Sequence, residues 1–436
     1  MLHEIGNKTL TELLRLEGGR AFVNAFLKDQ AWLEDFLASG PIVDEPAAFT
    51  NLAALVWNDP KGEILAGGLA RTIATAMALQ STGKHTTEDL VRTYAGYQFL
   101  ARAGRLHKAA YTQDVREWRF ALGKILNIRD LLYLNDYLNF TNDSYGGACW
   151  CVPYRLHNCF GESVQRPTYY RPWRDCTWAT QALRPTVGGV CGALSTFGAL
   201  SANAHGLMAS TGGQPGHCAY VRRRANGRWD IHNYVSRFTS VHNTFWGGHA
   251  FTYFDVFERS YANRSRALTA DRYTWLARLA EDADANDSRG IEAWYRLAVK
   301  TCPKHYGAWR AYSDWLDRGT APATATAAFL KALVQALPEG RQATWDLIHT
   351  CLARIAKDKQ GGVDRAVTTL ERLYPLLPQP TNVVTREEMT RAEDLGRYYR
   401  IAADILAGAV AETLVRNRPP VRTAAEFASR LAESRS

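Results

Sequence analysis

A chain of 436 residues with 46% hydrophobic side chains is long and apolar enough for two or three domains with cores of their own, so an ordinary globular protein is expected rather than a disordered one. The net charge of +9 comes from 52 basic and 43 acidic residues, a mild excess over a large surface, and no nucleic-acid partner is expected from it. No apolar run approaches the roughly 20 residues that span a bilayer, so no membrane partner is expected. Met1 to Leu16 lacks the basic start, apolar block and cleavage site of a secretory signal. The default compartment is the cytoplasm, with a leaderless route or a removed leader as the other possibilities.

From Leu10 to Leu106 apolar residues recur at three- and four-residue intervals, as in Phe22, Phe26, Leu33 and Phe36. Breaks fall at Ser39-Gly40-Pro41, Asn58-Asp59-Pro60 and Ser81-Thr82-Gly83. With Val115 to Tyr137 continuing the pattern, the spacing predicts a helical N-terminal domain over 1–138. The stretch that follows, to Val187, is aromatic and loop-rich, densest at Tyr169-Tyr170-Arg171-Pro172-Trp173. Such rings either line a substrate cleft or pack loops onto a core.

Of the 8 cysteines, Cys149, Cys151, Cys159 and Cys176 crowd this stretch around His157. Cys149-Trp150-Cys151 has one intervening residue where a zinc knuckle needs two, so free thiols are expected, with no metal and no cofactor. Cys302 and Cys351 fall on helical segments and are expected to pack.

After Pro185, the run Gly188-Gly189-Val190-Cys191-Gly192-Ala193-Leu194-Ser195 opens a small-residue helix beginning near Cys191. A sulfur in the first helical turn meets unbonded N–H groups and the positive end of the helix dipole, which favour thiolate over thiol. Gly188 and Gly189 are expected to let a substrate backbone approach. Gln214 and Trp229 are further candidates for substrate binding.

Gln214-Pro215-Gly216-His217 then leads into a hairpin: alternation from His217 to Arg222, turn residues Ala225-Asn226-Gly227, and alternation again from Trp229 to Val235. A two-residue turn puts Asp230, His232 and Tyr234 on the face of His217, whereas a three-residue turn puts Trp229, Ile231, Asn233 and Val235 there. The second register pairs apolar with apolar. It favours Asn233 as the group holding the His217 imidazole, through its amide oxygen, with Asp230 as the alternative and His232 behind both. The cluster Arg222-Arg223-Arg224 at the hairpin end suits solvated edge protection, or docking of an acidic substrate.

Further on, Gly290 to Lys300, Pro303 and Ala308 to Tyr312 resemble the tetratricopeptide pattern of paired helices. Similar helix-then-proline punctuation recurs around Pro338 and Pro375 without a clean period. Helical hairpins are predicted over 266–436, where they either bind a protein partner or buttress the core. A linker at Pro419-Pro420 and a final amphipathic helix are expected after Arg416.

The order of Cys191, a helix, His217 on a strand and a Trp229 strand ending in Asn233 resembles the transglutaminase-like branch of the papain-like thiol enzymes. The likeness covers Thr177 to Phe254, and it extends to large bacterial transglutaminase-like proteins with helical flanks. It departs from the family in Asn for Asp at 233 and in Cys218-Ala219 after the histidine. The resemblance implies an α+β chain: a papain-like core over 139–265, a helix packed on a small antiparallel sheet, between all-α flanks. It further implies a thiol-dependent acyl-transfer enzyme acting on a protein or peptide, a cysteine peptidase or amidase, with a transglutaminase or deamidase as variants of the same chemistry. Cys191 would attack the carbonyl, His217 would move the proton, and the Cys191 backbone N–H with the side chain of Gln181 or Trp178 would hold the oxyanion. The alternative is a non-catalytic helical-repeat scaffold that binds a peptide or protein.

Overall fold

The computed structural model describes residues 5–165, 187–235, 243–251, 263–373 and 376, less 17, 41, 43, 82–84, 124, 139–143, 215, 225–228, 247–248, 319–322, 338–340 and 358–360. The aromatic run Tyr169 to Trp173, the thiol of Cys176, the hairpin turn and the tail from Arg416 therefore lie outside the described residues. The chain divides into two compact units, Met1–Phe251 and Thr252–Ser436.

In the first unit the helices begin where the sequence supplies caps. Asp29 accepts from Trp32 N, Asp44 from Ala47 N and Asn127 from Asp130 N. Thr86 with Asp89 and Asp114 with Glu117 close reciprocal capping boxes. Phe22, Phe26, Trp32, Phe36 and Phe49 meet edge-on or tilted at centroid distances of 5.1–6.2 Å, forming an aromatic knot that fixes the first helices to one another.

This core does not stop at 138. One buried apolar cluster runs from Ile5 through Tyr97, Trp118 and Leu134 to Leu194, Phe197 and Tyr220, so the segments expected as 1–138 and 139–265 meet in it. Its centre is the helix Cys191–Asn203, buried along its whole length from Ala193 to Asn203. Small residues let its neighbours approach closely: a Cβ on Gly198 would come within 3.0 Å of Cys149 Cβ and Tyr220 Cδ1. Its far end is pinned by polar groups, because Tyr97 Oη donates to Asn203 O at 3.1 Å and Asn135 Nδ2 donates to Ala204 O at 3.0 Å. The cysteine end of the helix is thus carried on a buried, hydrogen-bonded segment.

A five-stranded antiparallel sheet follows, ordered β3-β2-β1-β4-β5, with β1 Ala209–Gln214, β2 His217–Arg223, β3 Trp229–His232, β4 Asn243–Trp246 and β5 His249–Phe251. Strands β1 and β2 are joined at the Gln214↔His217 pair, and Gly216 takes φ +67°, which its missing Cβ permits. In β2 and β3 the register is Val221↔Ile231 and Arg223↔Trp229, the apolar-to-apolar register of a three-residue turn. The chain is α+β, mostly helical with a small antiparallel sheet.

Because β3 lies outside β2, the arginine cluster is not on an edge. Arg222 is buried against Asp230 at 3.3 Å, Arg224 also pairs with Asp230, and Arg223 pairs with Glu117 of the N-terminal helices. The expected solvated edge gives way to ion pairs, in which Arg222 is buried and Arg224 stays about half exposed.

In the second unit six described helices follow one another: Arg264–Ala283, Ser288–Thr301, Tyr306–Asp317, Ala323–Ala336, Arg341–Ala356 and Gly362–Leu373. Their core is aromatic. Tyr295 stacks on Tyr312 at 5.6 Å, and Trp309 meets Phe329 at 5.5 Å. Trp309 Nε1 donates to Pro303 O at 2.8 Å, closing the link that the proline punctuates. Among the described residues no helix is long and apolar enough to cross a membrane.

Candidate active site

Cys191 is the first residue of its helix, after an extended Val190 that has no side chain able to cap. The first internal bonds are Ala193 N and Leu194 N to Val190 O, at 2.9 and 3.2 Å. The N–H groups of Cys191 and Gly192 precede them, and a Cβ on Gly192 would meet nothing within 4 Å, so the helix start is open on that side. Cys191 itself is half-buried. Burial pushes the Cys149 thiol up to about 12 and the Cys351 thiol up to about 11, and raises that of Cys151.

His217 opens β2, and its ring is held from the chain just past β3. Nε2 lies 2.6 Å from Asn233 O. A carbonyl oxygen only accepts, so Nε2 carries the proton and Nδ1 is left as the acceptor of the neutral ring. The orienting group is thus the main chain of Asn233, not the amide oxygen that the sequence suggests.

The Asn233 side chain is turned elsewhere. Its Nδ2 donates to Ser195 Oγ at 2.9 Å and Cys191 O at 3.1 Å and stands 3.4 Å from Cys218 O. Ser195 Oγ donates in turn to Cys218 O at 2.9 Å. Every partner accepts from the amide, so the network itself decides which end is nitrogen. Asn233 has φ +46°, the single non-glycine residue with positive φ among the described residues, in the left-handed region that asparagine tolerates better than most. One buried residue therefore touches the cysteine's helical turn, the histidine's strand and the histidine's ring. Among the described residues no hydrogen bond links Cys191 Sγ to the His217 ring.

Asp230 is elsewhere, across from Arg222 and paired with Arg222 and Arg224. His232 sits beside it against Gly146, whose missing Cβ makes room for the ring, and burial with the nearby Arg222 holds its pKa below the usual imidazole range. Among the described residues neither is hydrogen-bonded to His217. Gln214 is buried, and its Oε1 accepts from Val235 N at 3.0 Å, which anchors the segment after Asn233.

The two glycines before the cysteine serve the chain itself. Gly188 has φ +67°, and a Cβ there would lie 2.7 Å from Pro153 O; a Cβ on Gly189 would lie 2.2 Å from Ala193 Cβ. Gly189 is also bonded on both sides, its N–H to Pro153 O at 3.1 Å and its carbonyl from Arg155 N at 2.9 Å. Trp229 occupies β3 opposite Arg223, and its side chain lies outside the described residues, as do Gln181 and Trp178. Among the described residues no three His, Cys, Asp or Glu side chains are grouped to hold a metal ion.

Ser195 is the residue that sequence reasoning missed. It stands four positions after Cys191, hence one turn on along the same helix face, and that spacing was the available signal. Compared with known proteins, the chain matches no family model, no curated protein and no solved structure.

Proposed function

We propose that this chain is a thiol-dependent acyl-transfer enzyme with a papain-like or transglutaminase-like core, in its simplest form a cysteine peptidase or amidase acting on a protein or peptide. The observation that carries the reading is Asn233, which holds the His217 ring through its carbonyl at 2.6 Å and the Cys191 carbonyl through its amide at 3.1 Å, so thiol and imidazole share one anchor. Cys191 Sγ attacks the substrate carbonyl carbon while His217 Nδ1 takes the thiol proton. The oxyanion is met by N–H groups of the helix's first turn, with the backbone of Cys191 first. The imidazolium then protonates the leaving amine, leaving a thioester. Water completes hydrolysis or deamidation, and an incoming amine completes a transglutaminase-type transfer.

Iodoacetamide labelling rates at each cysteine, read by peptide mass spectrometry over roughly pH 5 to 9, test this on the parent and on His217→Ala. Cys191 is expected to label fastest, with a pH midpoint that rises when His217 is lost. A Cys191 that labels no faster than exposed Cys159, or that ignores His217, removes the enzyme reading.

One observation favours the scaffold alternative. The second unit has a cavity of about 480 Å³ floored by Val299, Trp309, Tyr312 and Phe329, with Arg296 and Lys300 among its lining residues. An inert Cys191 would make that groove the place to seek a peptide.

A further inference from the structure

We infer that Asn233 is a positioning residue with two separate jobs, and that Ser195 shares the second. The main-chain carbonyl of Asn233 fixes the His217 ring as the Nε2–H tautomer. The side-chain amide, together with the Ser195 hydroxyl, ties the first turn of the cysteine helix to the strand that begins with the histidine. The inference rests on Cys191 and His217 as the reacting pair and concerns what sets their relative position.

The division of labour follows from donor and acceptor counts. The amide has two hydrogens, and three acceptors stand around it: Cys191 O, Ser195 Oγ and Cys218 O. Ser195 Oγ has committed its own hydrogen to Cys218 O, so it faces Asn233 as an acceptor. The three groups close into a ring of hydrogen bonds, in which only a donor fits at 233. A carboxylate there would turn an acceptor toward two carbonyl oxygens at about the amide's distances, and of the two only Cys218 O would keep the Ser195 hydroxyl as a side-chain donor. Aspartate therefore cannot replace asparagine in this chain, although a carboxylate next to an imidazolium is ordinarily the stronger partner. The backbone adds a second constraint: φ +46° suits Asn, Asp or Gly and strains most other residues. Position 233 needs the left-handed backbone to aim its carbonyl at His217 and a short amide to hold the turn.

Because the two jobs lie on different atoms, glycine separates them. Asn233→Gly keeps the left-handed backbone and its carbonyl while removing the amide. Asn233→Asp keeps the size and reverses the hydrogen-bonding sense. Ser195→Ala removes one acceptor and one donor from the ring and leaves the amide two carbonyls.

Two readouts are needed on the full chain. The tautomer of His217 comes from long-range proton–nitrogen spectra of protein labelled with nitrogen-15 histidine, above the pH at which the ring is protonated, with His217→Ala assigning the signal. The second is the rate of Cys191 labelling by iodoacetamide at neutral pH. The parent and Asn233→Gly are expected to share the Nε2–H tautomer, while Cys191 in Asn233→Gly labels about tenfold slower, the scale of one lost positioning hydrogen bond. Asn233→Asp is expected to label slower still, and Ser195→Ala by a factor of about two to three. In Ser195→Ala combined with Asn233→Gly the loss is expected to match Asn233→Gly alone, because both substitutions open the same ring.

Loss of the Nε2–H tautomer in Asn233→Gly would overturn the carbonyl's role, and parent-like labelling of Asn233→Gly or Asn233→Asp would overturn the amide's. If instead Cys191 in the parent is indifferent to His217→Ala, the reading of the pair as catalytic fails, while the His217 tautomer in Asn233→Gly still supports or overturns the carbonyl as its holder.

Discussion

Gly189→Ala should damage the site from behind without touching any reacting atom. The added Cβ would lie 2.2 Å from Ala193 Cβ. Ordinary carbon–carbon contact is about 3.5–4.0 Å, so something must move by more than about 1 Å. Gly189 cannot readily yield, since its N–H and carbonyl are both bonded to the 153–155 segment. Ala193 sits in the first turn of the cysteine helix, so relief comes by displacing that turn. Overpacking of this kind costs about 1–3 kcal/mol of stability. A displacement near 1 Å at a reacting group slows its chemistry by up to about a hundredfold. Urea midpoints and Cys191 labelling rates measure the two effects. The reciprocal change supplies the control: Ala193→Gly alone costs about 1 kcal/mol of helix propensity, but it removes the colliding carbon. Gly189→Ala/Ala193→Gly should therefore be close to Ala193→Gly in stability and should label faster than Gly189→Ala. Parent-like behaviour of Gly189→Ala, or strictly additive losses in the double variant, would refute the packing reasoning.

Asp230→Ala should remove one carboxylate paired with buried Arg222 and lower stability by about 3 kcal/mol in urea, yet preserve the dependence of Cys191 labelling on His217; loss of that dependence would restore Asp230 as the histidine's partner. Cys149 and Cys351, with thiols pushed up to about 12 and about 11 by burial, should label at neutral pH only as fast as the protein unfolds, so their rates should rise steeply with denaturant while that of exposed Cys159 barely changes. Burial raises the pKa of Tyr97, Tyr220 and Tyr145, the last to about 12. Their folded values exceed the unfolded one near 10, so their contribution is intact below pH 10 and is lost as pH climbs through the folded values. Urea midpoints should accordingly fall from about pH 10 upward, with tyrosinate absorbance appearing together with unfolding; ionisation of the buried rings well before unfolding would contradict it.

Much of the local structure was legible because it depends on neighbours in sequence. Val115 continues the helical pattern and does begin a helix, and the small-residue run after Gly189 marks the start at Cys191. The β2–β3 register was legible too, since only one alignment sets Val221 against Ile231. Strand β1 was not. Ala209-Ser210-Thr211-Gly212-Gly213-Gln214 has neither alternation nor bulk, and it is a strand because β2 and β4 bond to it on both sides. The sequence brought Cys191, His217 and Asn233 forward as one group from their order and spacing. Which atom of Asn233 faces the histidine depended on a left-handed backbone just beyond β3, and the role of Ser195 depended on where the helix lands against Cys218. Capping, periodicity and register are decided within a few residues along the chain; the assignment of a hydrogen bond to a carbonyl rather than an amide is decided only when elements far apart in sequence pack together and compete for the same donors.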